Sequence, residues 1–338
     1  MYPPVFRADN KIQIKELLNI SLNEIEKKSS VLLINAIIKQ RSIKQKEEID
    51  EIKSALKITN LIHQKSMTAS KPGKYEYEIV AEMESIIKSH NVNLAYPIIF
   101  TVNGQILHNS IYNNKISDGD LLLNDSGANS ALNYASDITR TFPANGKFST
   151  QQKEIYLIVK EMQETVIKQL KPGVSFKEMH KLSAYIGIKR LKEIGLLKGS
   201  CDEALAKGVY GLFYPHGLGH MLGLDVHDME SLGEDMVGYS EKVKREAEFG
   251  ISFLRLGKNL ETGFCITVEP GIYFIPELFY QWEKEKKYNQ LINYEKFKSY
   301  LNFGGIRIED NIYINQTGSE NLSSFIPKQI DEIESIMQ

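Results

Sequence analysis

A chain of 338 residues with 42% hydrophobic and 25% charged side chains has the composition of a folded globular protein with a sizeable core, which excludes disorder as its ground state. Its 41 basic and 43 acidic residues leave a formal net charge of -2, which excludes a chain-wide electrostatic footprint for nucleic acid.

Residues 11 to 40 alternate short apolar and charged clusters, IQIKELLNI and VLLINAIIKQ, and predict two or three short elements that bury little on their own. The opening MYPPVFRADN lacks the apolar core of a signal peptide, and no later run approaches the roughly 20 apolar residues that span a bilayer. From Ser42 the stretch SIKQKEEIDEIKSALKITNLIHQKSM predicts a long helix with Ile49, Ile52, Leu56 and residues 58 to 61 on one face. A second helix is expected from about Tyr75 to Ser89. Short apolar runs closed by Gly, Asn and Asp then predict strands: PIIFTVNG, GDLLLNDSG and ALNYASDITRTFP.

Helices return at about Gln151 to Leu170 and Phe176 to Ile194, the second closed by Gly195. Residues 229 to 250 read as a charged, mobile loop. Strands are expected again over Gly263 to Tyr273 and Gly304 to Ile314, separated by a Lys- and Tyr-rich helical excursion, 276 to 301, whose aromatics serve packing. No short repeat and no linker divides the chain into halves. Strands interleaved with separate helix pairs indicate an α+β fold rather than a doubly wound sheet.

Three of the seven histidines, His216, His220 and His227, fall within twelve residues. On a helix His216 and His220 would lie one turn apart, about 5.4 Å, but Gly217 and Gly219 favour a loop or strand. Such a pair alone is more often a satisfied core or surface feature than a ligand set. The carboxylates are more telling. Asp125 and Asp137 follow apolar runs, and Glu269 and Glu309 interrupt strands, so all four sit where neighbours are buried. Buried carboxylates need cations, hydrogen bonds or protons. Arg140 or Arg307 could neutralise one or another, whereas four together favour metal. Carboxylate oxygens with one imidazole form a hard donor set suited to manganese, cobalt, iron or zinc.

The segments DSGANSALNYASDITRTFPANGKF, HGLGHMLGLDVHD, TVEPGIYF and GGIRIED, in that order, closely resemble those of the pita-bread metallopeptidases, in the branch of aminopeptidase P (Xaa-Pro aminopeptidase) and prolidase (Xaa-Pro dipeptidase). The resemblance runs from about Ser42 to the C-terminus. It implies a catalytic domain over residues 42–338 and, in residues 1–41, a remnant of an N-terminal aminopeptidase P-type domain, so that the chain reads as N-terminally shortened. It also implies two divalent metal ions, manganese first and cobalt, iron or zinc as alternatives. Asp137 and Glu309 would bridge them, Asp125 would complete one site, and His220 with Glu269 the other. His227 would stand beside the substrate carbonyl, His216 and His108 would line the substrate pocket, and Tyr273 and Arg307 would support the ligands. Arg255 matches the arginine that in prolidases receives the free carboxylate of a dipeptide.

The implied reaction is hydrolysis of the Xaa-Pro bond at the amino end of peptides, with Glu269 moving the proton and the free amino group docking near Asp125. The alternatives are Xaa-Pro dipeptidase and, in another class, an inactive binding protein on the same fold. The expected partners are peptides with proline second and a second copy in a homodimer, with neither nucleic acid nor membrane. Cys201 and Cys265 lie too far apart in sequence for a disulfide framework and suit a cytoplasmic setting. One departure stands out: Asp125 and Asp137 are twelve positions apart, one more than in many relatives, the extra residue falling in the turn ANSAL.

Overall fold

The computed structural model describes residues 8–338, so the first seven residues of the expected 1–41 remnant lie outside it. Residues 8–42 form three short helices, α1 (Ala8–Leu18), α2 (Leu22–Lys28) and α3 (Val31–Ser42). None of α1 is buried. By contrast α3 sinks Ile34 and Ile38 into a core shared with Val166, Leu170 and Met221.

The long helix α4 (Lys46–Ala69) starts later than the sequence suggests. Gln45 and Glu48 form a reciprocal cap there, with the Gln45 N–H donating to Glu48 Oε2 at 2.8 Å. Its buried positions Ile49, Ile52, Leu56, Thr59, Ile62, His63 and Ser66 recur every three or four residues, which aims one stripe at the sheet. A hairpin joins it to α5 (Glu76–Ser89). The strands β1 (Ile99–Thr101), β2 (Leu121–Ser126) and β3 (Ile138–Pro143) then form an antiparallel sheet in the order β1-β2-β3. Asp125 faces Thr139 across β2 and β3. Of the expected strand ALNYASDITRTFP only the second half is regular, because the turn before it carries Asn133 at φ 63°.

A second helix pair follows, α6 (Thr150–Ile167), capped by Ser149, and α7 (Phe176–Glu193), after which Gly195 adopts φ +80° as a left-handed cap requires. After α8 (Cys201–Ala206) the histidine segment runs as an irregular loop, as its glycines require, and then α9 (Glu234–Gly238) rises from the charged segment. The remaining strands are β4 (Cys265–Val268), β5 (Gly271–Tyr273), β6 (Gly305–Arg307), β7 (Asp310–Ile314) and β8 (Ser319–Asn321). They pair as β4-β7-β8 and β5-β6, all antiparallel. Between β5 and β6 lie α10 (Pro276–Lys284) and α11 (Tyr294–Lys298), and α12 (Ile330–Ile336) ends the chain. Phe279 and Phe297 of the excursion stack at 4.6 Å, and Phe274 stacks on Tyr300 at 4.7 Å, so its aromatics do serve packing.

The two larger sheets meet where the Glu309 N–H donates to the Thr139 carbonyl at 3.1 Å. Asn311 locks the same seam: its Nδ2 donates to the Asp137 carbonyl at 2.6 Å and its Oδ1 accepts from the Asp137 N–H at 3.1 Å. This mixture of antiparallel sheets and flanking helix pairs is the α+β class expected.

A candidate metal centre

Strand alternation explains how four separate segments deliver their polar groups to one place. In β3 and the residue before it, Asp137 and Thr139 share a face, and Thr267 and Glu269 do so at the end of β4. The His220 N–H donates to Thr267 Oγ1 at 3.1 Å, which fixes the histidine loop to that strand. Asp137, His220 and Glu309 each offer a ligand atom within 4.8 Å of the others, and all three are buried. Glu269 Oε1 lies 3.6 Å from His220 Nε2. Asp125 joins the group through Tyr96, whose hydroxyl lies 2.6 Å from Asp125 Oδ1 and 2.5 Å from Asp137 Oδ1.

The protonation pattern around His220 decides what these groups need. Its Nδ1 lies 3.0 Å from the Met221 carbonyl, which only a ring N–H can satisfy, so the lone pair falls on Nε2. That lone pair faces Asp137 Oδ2 at 3.3 Å and Glu269 Oε1 at 3.6 Å. With both carboxyls ionised, acceptors point at acceptors, and only a proton or a cation between them relieves this. Glu309 Oε1 is buried with no hydrogen-bond partner at all. Burial pushes the Asp137, Asp125 and Glu309 carboxyls up and Glu269 to about 8, and repulsion from Asp137, Glu269 and Asp125 raises Glu309 further. Cations among these oxygens would remove every one of these costs, and the hard O and N donors fit divalent metals.

Arginines neutralise only part of the charge. Arg140 is spent elsewhere, its Nη2 donating to Asp310 Oδ1 at 2.8 Å with both side chains wholly buried. Arg307 does reach the centre, donating through Nη2 to Asp125 Oδ2 at 2.5 Å and through Nη1 to the Tyr273 hydroxyl at 2.9 Å. Tyr273 in turn donates to His216 Nε2 at 2.8 Å, because His216 Nδ1 is committed to the Gly217 carbonyl. Thr139 Oγ1 accepts from Arg307 Nε at 3.1 Å and donates to Glu309 Oε2 at 2.8 Å. Tyr273 and Arg307 thus hold His216, Asp125 and Thr139 in place.

A cavity of about 790 Å³ opens onto this centre. His108, His216, His227, Arg255 and Arg307 all line it, together with Asp125, Asp137, His220, Glu269 and Glu309. The rings of His220 and His227 are 4.3 Å apart at their centroids. Arg255 is on the wall but is not free, since its Nη1 donates to both Glu230 and Glu234. The charged segment 229–250 is pinned by ion pairs rather than hanging loose as a mobile loop: Arg245 bonds Asp235, Glu234 and two carbonyls.

Sequence reasoning missed Tyr96, Thr139 and Thr267. The two threonines could have been found, since each lies two residues along a strand from a ligand candidate and so shares its face. Tyr96, in the irregular segment before β1, carries no such signal.

A family model described as Metallopeptidase family M24 matches residues 50–316. Among similar proteins, the Xaa-Pro dipeptidase of Rattus norvegicus is 37% identical over 321 residues, covering 91% of this chain and 63% of its own length. The Xaa-Pro aminopeptidase of Escherichia coli is 36% identical over 302 residues, covering 88% of this chain and 59% of its own. A solved structure of aminopeptidase P from E. coli with the inhibitor Pro-Leu matches with a TM-score of 0.74 at 35% identity, over 90% of this chain and 61% of that one. A zinc-substituted form in complex with product matches at 0.73. The chain therefore spans about three fifths of the length of these relatives.

Proposed function

The chain belongs to metallopeptidase family M24, and from that premise we propose that it is a two-metal exopeptidase that hydrolyses the Xaa-Pro bond at the amino end of peptides. The observation that carries this reading is the His220 Nε2 lone pair facing the carboxyls of Asp137 and Glu269, a set of donor atoms that divalent cations can satisfy together. Asp125, Asp137, His220, Glu269 and Glu309 are the residues that would hold the metals. All five positions hold groups able to ligate, which counts against an inactive binding protein. Manganese is our first choice on the hardness of the oxygen donors. We place the protein in the cytoplasm because Cys201 and Cys265 are free.

When bound, divalent cations would supply an acidified water and a Lewis acid for the carbonyl. The chain's own groups do the rest. Glu269 takes the proton of the attacking water and delivers it to the departing proline nitrogen, as general base and then acid. His227 donates a hydrogen bond to the carbonyl oxygen as negative charge develops there. The free amino group docks beside Asp125, limiting cleavage to the first bond, while His216 is held for substrate contact by Tyr273. Proline's fixed ring and missing N–H demand recognition by shape, which a preformed cavity supplies.

Metal analysis of the purified protein together with an assay on Ala-Pro-Phe tests the reading. The expected result is two metals per chain and release of alanine. A protein that binds no divalent metal, or that releases none when loaded, overturns it.

A further inference from the structure

The cavity is larger than a two-residue peptide requires, and at about 790 Å³ it lies in the upper part of the ~300–1,000 Å³ range that buries drug-sized ligands. A continuous series of contacts leads outward from the metal centre along one wall. The His227 ring adjoins His220, and its Nδ1 lies 3.6 Å from Glu230 Oε2. Arg255 Nη1 donates to that same Glu230 oxygen at 2.6 Å and to Glu234 Oε2 at 2.9 Å. Arg245 bonds the other oxygen of Glu234 and is fixed at 2.7 Å to Asp235 and at 2.8 and 2.9 Å to the carbonyls of Ser252 and Leu254.

The consequence is a matter of charge. Among the described residues, the cavity wall carries no lysine, and each of its three arginines already holds a carboxylate, Arg307 through Asp125 and the other two through Glu230, Glu234 and Asp235. A substrate carboxylate entering beyond His227 meets Glu234 and a guanidinium already claimed by it and by Glu230 behind it. To be held it must displace one of them, and the displaced glutamate is left unpaired in a partly buried place.

Farther out the same wall turns apolar. Phe249 and Phe253 are 39% and 55% exposed, with their rings edge to face at 5.9 Å. Trp282 backs Phe249 at 6.3 Å. Gly211 makes room for this arrangement, since a Cβ there would meet Phe249 Cδ1 at 2.9 Å, and Gly250 takes the φ of +95° that turns the chain between the two rings. Large aromatic side chains held in place yet open to the cavity form a surface for another apolar group.

We propose that the wall from Glu230 to Arg255 selects the substrate class. It turns away peptides whose free carboxylate directly follows proline, and it favours peptides of three or more residues with an apolar or aromatic side chain after the proline, seated on Phe249 and Phe253. The inference rests on the Xaa-Pro reading above and on His227 standing at the scissile carbonyl, which places the group after proline against Glu230 and Arg255. An amide-linked third residue brings no charge to that point, and its side chain continues toward the aromatic pair.

Steady-state kinetics of the manganese-loaded full chain on Ala-Pro, Ala-Pro-Gly and Ala-Pro-Phe test this, with calorimetric binding of the product Pro-Phe as a readout independent of turnover. The wild type is expected to prefer Ala-Pro-Phe to Ala-Pro-Gly by about tenfold in kcat/KM and to disfavour Ala-Pro further by a similar factor. Phe253→Ala should raise KM for Ala-Pro-Phe and weaken Pro-Phe binding by about tenfold while leaving Ala-Pro-Gly where it was. The double variant Glu230→Gln, Glu234→Gln frees Arg255 and should lower KM for Ala-Pro by about tenfold or more. If the double variant does not fold, Glu234→Gln alone, at a side chain 35% exposed, carries the same expectation. Equal use of Ala-Pro and Ala-Pro-Phe by the wild type, or an Ala-Pro KM indifferent to the glutamates, overturns the proposal while leaving Xaa-Pro hydrolysis standing. Cleavage of none of the three peptides by metal-loaded protein overturns both.

Discussion

Lys44 Nζ lies 2.7 Å from Asp228 Oδ2, with 1% of either side chain exposed, and Arg41 Nη2 lies 2.5 Å from the other oxygen of the same carboxylate. The junction between α3 and α4 is thereby bound to the residue directly after His227. Backbone bonds flank the pair: the Lys44 N–H donates to Gly263 O at 2.8 Å and the Asp228 N–H to Met221 O at 2.9 Å. Gly223 keeps the space open, since a Cβ there would meet Asp228 Oδ2 at 2.5 Å. Segments that are distant in sequence thus form one platform under the histidine loop.

Asp228→Asn leaves the Lys44 ammonium buried without its counter-charge, so the variant should lose about 3–5 kcal/mol of folding stability. Lys44→Met should cost less, because Arg41 still pairs Asp228. Urea denaturation of the two variants checks this, and equal losses below about 1 kcal/mol would mean that the pair is hydrated rather than buried.

Acid should destabilise the fold through His63 and His180, both pushed down to about 3 by burial and then by a nearby cation, Arg140 for His63 and Lys181 for His180. Their folded pKa lies below the unfolded value near 6.5, so between pH 6.5 and 3 the unfolded chain binds the extra protons and stability falls as pH falls. Each histidine should cost about 2 kcal/mol on going from pH 6.5 to 5. Neither ring nitrogen of His180 has a hydrogen-bond partner, and its ring lies 5.2 Å from that of Tyr214 and 5.6 Å from that of Tyr210. His180→Phe should therefore fold well and remove its share of the acid slope, which parallel denaturation series at pH 7 and 5 will measure. A slope identical to wild type would show that His180 does not titrate in this window.

Tyr96 has a single hydroxyl proton for two carboxylates, Asp125 and Asp137. Whichever oxygen receives it, the ring sets the spacing of the two ligand candidates. Tyr96→Phe should leave the fold intact and weaken metal binding by about 10–100-fold, the usual cost of losing a group that orients ligands. Titration of the metal-free protein with manganese, followed by calorimetry, gives the number, and an unchanged affinity would remove Tyr96 from the centre.

Much of this centre was legible in the sequence because a carboxylate at a buried strand position is a conflict between local pattern and solvation that metal can resolve. Asp125, Asp137, Glu269 and Glu309 all announce themselves that way. The long helices were legible too, down to the left-handed Gly195 after α7. What could not be read was pairing across long separations. Asp228 gives no hint that it answers Lys44, 184 positions away, or that Arg255 answers Glu230 and Glu234 rather than solvent. A charged run such as 229–250 looks mobile when its partners are unknown, and only the fold shows that Arg245 ties it down.

Of the four carboxylates at the centre, Glu269 is the one open enough to trade protons. Its side chain is 19% exposed, against 11% for Asp125 and 8% for Asp137, while Glu309 is all but sealed at 1%. Its backbone is fixed, the N–H donating to the Leu218 carbonyl at 2.8 Å, yet its side chain has only long contacts, 3.5 Å from Thr267 Oγ1 and 3.6 Å from His220 Nε2. A group so placed can meet both an incoming water and a leaving nitrogen without moving the strand that carries it. Glu269→Gln keeps the shape and one ligating oxygen but cannot carry a proton, so turnover should fall by about 10²–10⁴ or more. Metal content, determined on the same preparation, should stay close to wild type. Near-normal hydrolysis by a variant that still holds its metals would move the proton transfer to another group on the cavity wall, and the partly buried imidazole of His227 is the first to replace next.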